Sequence, residues 1–322
     1  MPGVLARRKA GGGHAMKRRL PMAALVSVGL LISGATSAAV EGKHWSVSPT
    51  LGISSPKLKL LNDGEFAAPL PGQGRLTLPG SGDNIDSNFI IDNTLEPIDW
   101  GTDAGVEFQL QVNDKNALLF GFSVWEGVST SSVVTEIPFQ GELTSTVYER
   151  SGKMSYFEYY VGWKRDLFTR PRKYNIYSKF SLRELFDIDY KEEFVFAFEG
   201  GPSESFKRVI VTESQATGVL MLELAMGFEY FVADWVSLGV DAGYSFGFSK
   251  FRLGDASKKD DIQANDNIRF KLPAILGDDR KLKYLAEAAP FDDDPSYEQN
   301  FYRPLKLEFD GWRSLLRVNF YF

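Results

Sequence analysis

Between Val236 and Phe248 the chain alternates without a break. Val236, Leu238, Val240, Ala242, Tyr244, Phe246 and Phe248 form one set; Ser237, Gly239, Asp241, Gly243, Ser245 and Gly247 form the other. A period of two places successive side chains on opposite faces of an extended strand. The run covers 13 residues, whereas soluble strands usually hold about five or six. One face is wholly apolar and the other small or polar. That pattern suits a strand with hydrocarbon on one side and a narrow polar interior on the other.

The same period recurs at Gly105–Val112, Leu118–Val124, Ser155–Trp163, Tyr174–Leu182 and Leu220–Tyr230, in Trp45–Ile53, and in the closing segment with Leu316, Val318, Phe320 and Phe322. These are eight strands. The connections between them alternate in length. Asn113–Asn116, 165–173 and Ala233-Asp234 are short; 54–103, 128–153, 184–217 and 250–311 are long. An antiparallel up-and-down barrel with both chain ends on the short-turn side has this order. Val133–Phe139 with Leu143–Tyr148, and Phe194–Phe198 with Phe206–Val211, read as hairpins rising above the barrel. Counting the second pair as barrel strands gives ten, the alternative to eight. A closed barrel has no edge for a proline, so Pro49 predicts a bulge in the first strand. Leu305, Leu307 and Phe309 are odd-numbered, whereas the apolar set of the last strand is even. A second bulge, at Asp310-Gly311, would reconcile them.

Residues 1–39 form a separate region. They contain Arg7, Arg8, Lys9, Lys17, Arg18 and Arg19 and no acidic residue; an apolar run, Met22–Ile32, and then Ser37-Ala38-Ala39 follow. This order is that of a secretory signal peptide, with Met16 as the start and residues 1–15 as an upstream extension. At about 16 Å of helical rise the apolar run is too short to cross a bilayer. Cleavage after Ala39 leaves 40–322 as the barrel domain. Acidic residues number 42 and basic ones 36 − 6 = 30 after cleavage, so the mature charge is −12. Nucleic acid is thereby excluded as a partner, since phosphate binding requires basic surface.

The chain has no cysteine. Disulfide frameworks, thiolate metal sites, iron–sulfur clusters and thiol nucleophiles are therefore excluded. No apolar run of 18 residues occurs in the main body, so there is no helical membrane bundle.

With the leader, the terminal Leu316-Arg317-Val318-Asn319-Phe320-Tyr321-Phe322 and the tight turn inside Glu223–Phe248 in view, the chain resembles the bacterial outer-membrane β-barrel proteins, in particular the small OmpA/OmpW-like barrels. The likeness covers the strands, about a third of the sequence. It implies an all-β transmembrane barrel in the outer membrane of a Gram-negative cell envelope, in contact with outer-membrane lipid and lipopolysaccharide. It also implies recognition of the C-terminal strand by the barrel-assembly machinery.

Parity assigns Glu107, Glu158, Glu223, Glu229 and Asp241, with Lys164, Lys179, Arg313 and Arg317, to the interior. Paired carboxylates can perform acid–base work. An eight-stranded barrel, however, has room only for its own side chains, and buried charges require partners. A salt-bridged plug is the expectation. Trp45, Trp163, Tyr174, Trp235, Tyr321 and Phe322 should band one rim, and Trp100, Trp125, Phe248, Phe251 and Trp312 the other. After cleavage one histidine remains, His44, at the start of the first strand with Ser46 and Ser48 on its face and no carboxylate assignable to it. A histidine-dependent hydrolase is not supported. Asp260-Asp261, Asp278-Asp279 and Asp292-Asp293-Asp294 lack EF-hand spacing and read as solvated charge, with divalent bridging to lipopolysaccharide phosphates as the other reading. The sequence assigns no catalytic residue, cofactor or metal ligand. The expectation is an outer-membrane barrel with a structural or loop-mediated binding role. A narrow, porin-like channel for small or hydrophobic solutes is the alternative.

Overall fold

A computed structural model of the chain describes residues 43–58, 70–77, 84–91, 98–139, 142–170, 173–199, 205–216, 218–248, 250–263, 268–270, 274–285 and 301–322. The leader, residues 140–141 and 200–204, and Asp292–Asp294 lie outside them. Eight antiparallel strands form the barrel: β1 (Trp45–Pro56), β2 (Gly101–Asn113), β3 (Asn116–Phe139), β4 (Glu142–Arg170), β5 (Tyr174–Glu199), β6 (Val219–Ala233), β7 (Val236–Gly247) and β8 (Gly311–Tyr321). Each segment expected from the alternation is one of these.

The ring closes on itself. From Glu229 the register runs to Gly239, Arg317, Thr50, Gly105, Ser123, Glu158, Leu185 and Val219, returning to β6 ten residues from its start. That stagger sets the strand tilt. Every strand in the circuit has a partner on both sides, which satisfies backbone groups that lipid could not.

The strands outgrow the barrel on one side. β5 pairs with β6 as far as Leu185↔Val219, then with Ser205–Ala216 from Ile188↔Ala216 onward. The change of partner coincides with a bulge. Ser155 faces Asp189 while Phe157 faces Phe186, so Asp187 and Ile188 together oppose Tyr156, and Asp187 has φ 49°. Gly218, at φ 78°, turns the returning strand into β6 and donates its N–H to Leu185 O at 3.2 Å. A left-handed backbone costs glycine little. The upper parts of β3, β4 and β5, with Ser205–Ala216 and Gly254–Gln263, thus form a five-stranded wall on the loop side. The Phe194–Phe198 and Phe206–Val211 segments belong to this wall, so the ring holds eight strands and not ten.

Three local expectations are corrected. Val47↔Phe320 and Thr50↔Arg317 keep one register across Pro49, so there is no bulge; the ladder to β8 is interrupted between them, and Ser48 Oγ donates to Asn319 Oδ1 at 2.6 Å there instead. There is also no flip at Asp310-Gly311. Leu305, Leu307 and Phe309 are buried on the same parity as Arg313 and Arg317, because beyond the membrane band the inward face itself turns apolar. Finally, β4 and β5 run on to Arg170 and from Tyr174, so the 165–173 connection is shorter than its sequence suggested.

The exterior is apolar where the ring is closed. On β6 the outward set runs Leu220, Leu222, Leu224, Met226, Phe228, Tyr230, Val232. Twelve residues of rise give about 40 Å of strand and about 30 Å of height at the usual tilt, which matches a bilayer core. Leu238 is 50%, Phe122 59% and Leu316 64% exposed, whereas inward Glu158 and Glu229 are fully buried. This is the inverse of a soluble barrel.

Candidate functional site: the filled lumen

The interior is built in tiers. At the short-turn end Lys164 Nζ lies 3.3 Å from Glu229 Oε2, and Asn319 Nδ2 donates to Glu229 Oε1 at 2.8 Å. Ser237 and Tyr321 donate to the same carboxylate. Above this, Lys179 Nζ reaches Glu107 Oε2 at 2.8 Å and Asp241 Oδ2 at 3.0 Å. Arg317 bonds the same two acids, Glu107 at 2.8 Å. Tyr160 and Tyr177 donate to Glu107 and Asp241. Two cations and two anions alternate around this tier, and its charge is zero.

The third tier joins Arg313 and Arg183 to three carboxylates. Arg313 grips Asp103 through Nε and Nη2, at 2.8 and 2.9 Å, and meets Glu158 at 2.8 Å and Glu223 at 3.4 Å. Arg183 bonds Glu158 and Glu223, the latter at 2.6 Å. Ser123 Oγ donates to Glu158 Oε1 at 2.6 Å.

Glycines leave the space that these groups need. A Cβ on Gly227 would sit 2.3 Å from Tyr177 Cζ and 2.3 Å from Asp241 Oδ1. Only a residue without a side chain admits the tyrosine and the carboxylate together.

An apolar cap seals the loop end. Trp125 stacks on Tyr156 at 5.0 Å, and Phe309 meets Tyr156 edge-on at 5.6 Å. Met154, Leu185, Val219, Met221, Leu253, Leu282, Leu305 and Leu307 pack around them. Trp125 and Tyr321 therefore leave the expected girdles: the first is fully buried in the cap, the second turns its hydroxyl to Glu229. Trp45, Trp163, Trp235 and Phe322 at one rim, and Trp100, Phe248 and Trp312 at the other, face outward as expected. A further buried pair lies in the wall. Arg150 Nε meets Glu192 Oε1 at 2.8 Å, and Tyr190 donates to Glu192 Oε2 at 3.1 Å. Burial, with that carboxylate beside it, pushes the Tyr190 phenol well above its usual range, so it stays a donor.

All nine interior charges expected from parity lie in this plug, brought together as expected. Two members were missed, Asp103 and Arg183. Both have the inward parity of their strands, and both lie just past the strand ends inferred from sequence. Every carboxylate of the tiers has a cation beside it. His44 is exposed at the rim, and Ser48 is committed to Asn319. Among the described residues no cluster of metal-ligating side chains occurs.

No family model and no curated protein matches the sequence. Among solved structures, the chain is similar to the outer membrane protease OmpT from Escherichia coli, with 9% identity, 89% of this chain and 99% of that one covered, and a TM-score of 0.36. Acinetobacter baumannii CarO2 is matched at 12% identity over 79% and 98% of the two chains, TM-score 0.26. A Pseudomonas aeruginosa FadL homologue is matched at 6% identity over 86% and 90%, TM-score 0.19. The closed ring, the apolar exterior and the charged interior define the class: a transmembrane antiparallel β-barrel of the outer-membrane type.

Proposed function

We propose that this protein is a non-catalytic, non-conducting barrel of the bacterial outer membrane, exported by its N-terminal leader, with its short turns in the periplasm and its wall and long loops outside the cell. Its role is to hold that outer structure rigidly for binding. The carrying observation is the lumen, where three tiers of ion pairs lie beneath an apolar cap. Water-filled pores need an open polar interior; here an ion would have to displace paired charges, and removing one partner from a buried pair costs about 3–5 kcal/mol. The pairing of each tier carboxylate with a cation supports the non-catalytic reading. Loops on a rigid scaffold are the usual seat of binding. The test is planar-bilayer recording with the refolded full-length protein. No unitary conductance is expected under salt gradients of either sign. Steady channel steps from the purified protein would overturn the reading in favour of a narrow solute channel.

A further inference from the structure

Several cations of the loop side lie beside a carboxylate. On the loop side Lys153 lies 2.9 Å from Glu126, Arg252 2.7 Å from Asp279, and Lys250 beside Glu308. On the short-turn side Lys115, Arg165, Arg170 and Lys173 are all exposed, and among the described residues none of them has a carboxylate partner. They are not spread around the ring. All four sit on the adjoining β3, β4 and β5 ends, where Asn116↔Arg165 and Arg170↔Tyr174 are register pairs.

The same sector carries an unusual apolar projection. A register shift between Asp166 and Phe168 turns Leu167 and Phe168 outward, 54% and 56% exposed, below the girdle residue Trp163. Asp166, next to Arg165 in the chain, is committed elsewhere: it accepts from Asn175 Nδ2 at 2.7 Å and faces Lys164. An exposed Leu-Phe pair flanked by unpaired arginines is costly in water. It is favourable at a bilayer surface, where apolar groups enter the acyl boundary and guanidinium groups snorkel to phosphate.

We infer that the β4–β5 end is a docking surface for anionic phospholipid in the leaflet on the short-turn side. Lys115, Arg165, Arg170 and Lys173 take the headgroup phosphates, and Leu167 and Phe168 take the upper acyl chain. The mature chain is acidic, so this sector opposes the overall charge and gives the barrel a preferred lipid on the short-turn side. The inference rests on the membrane-spanning class and not on whether the lumen conducts.

The experiment is native mass spectrometry of the folded full-length protein in detergent, with phosphatidylglycerol and phosphatidylcholine of matched chains offered in equal amounts. A basic residue near an anionic leaflet contributes about fivefold in affinity. The wild type should therefore retain phosphatidylglycerol about tenfold or more over phosphatidylcholine. Arg165→Gln/Arg170→Gln/Lys115→Gln/Lys173→Gln should retain the two nearly equally, and Lys153→Gln/Lys250→Gln on the opposite rim should behave as wild type. If the quadruple variant does not fold, Arg170→Gln/Lys173→Gln, confined to the turn, should cut the preference at least threefold. An unselective wild type, or a preference abolished by the opposite-rim variant and not by the turn variants, would overturn the inference. Lower retention of both lipids with Leu167→Ser/Phe168→Ser, the preference between them unchanged, would support the acyl contact.

Discussion

Replacing Arg317 with methionine probes the lumen most sharply. Its guanidinium bonds Glu107 at 2.8 Å and also Asp241, and Lys179 bridges the same acids at 2.8 and 3.0 Å. The wild-type tier holds two cations and two anions. Arg317→Met leaves two carboxylates against Lys179 alone, in a layer without bulk water. Breaking a buried pair from one side costs about 3–5 kcal/mol, because the remaining charge is stranded. The Tyr160 and Tyr177 hydroxyls soften this but cannot cancel a charge. Adding Asp241→Asn restores neutrality, so the double variant should recover about half of the loss or more, a non-additivity expected of contacting residues. The assay is equilibrium urea unfolding in lipid vesicles followed by tryptophan fluorescence. A loss below about 1 kcal/mol for Arg317→Met, or a double variant less stable than the single one, would refute the tier as a charge-balanced unit.

Other outcomes follow from the same geometry. Leu238→Arg puts a charge on the lipid face and should cost about 2–4 kcal/mol near the midplane; unchanged vesicle stability would mean that β7 faces the other way. Gly227→Ala should cost about 1–3 kcal/mol by overpacking, since its Cβ would meet Tyr177 and Asp241 at 2.3 Å, with Tyr177→Phe in the same chain recovering little because the ring remains. In intact cells, Asp278→Cys should react with an impermeant thiol reagent and Asp114→Cys should not; the reverse pattern would invert the topology.

The strands were legible because lipid outside and side chains inside impose one period on every membrane-crossing segment. Val236–Phe248 states it without exception, and Glu107, Lys179 and Arg317 declare the interior by parity alone. Beyond the membrane the rule reverses. Leu305, Leu307 and Phe309 point inward like Arg313, yet they are apolar, because outside the hydrocarbon band the wall and loops bury a core as a soluble protein does. From sequence that reversal mimics a slipped register. Trp125 was misread for the same reason: aromatic residues mark the lipid interface from outside and the cap from within. The branch of β5 from β6 to Ser205–Ala216 turns on two left-handed residues, Asp187 and Gly218, and hydrophobic periodicity carries no mark of it.

The account stands on a closed barrel held in a membrane, and heat-modifiable gel mobility tests that claim directly. Membranes from cells expressing the full chain would be washed with urea, dissolved in dodecyl sulfate and run with and without boiling. A closed ring, with β1 laced to β8 from Ser46↔Tyr321 to Pro56↔Gly311, should survive the detergent unboiled. The expected result is a band that remains in the washed membrane fraction, migrates ahead of its mass when unboiled and shifts up on boiling. A protein released by urea into the soluble fraction, with one mobility before and after boiling, would contradict it.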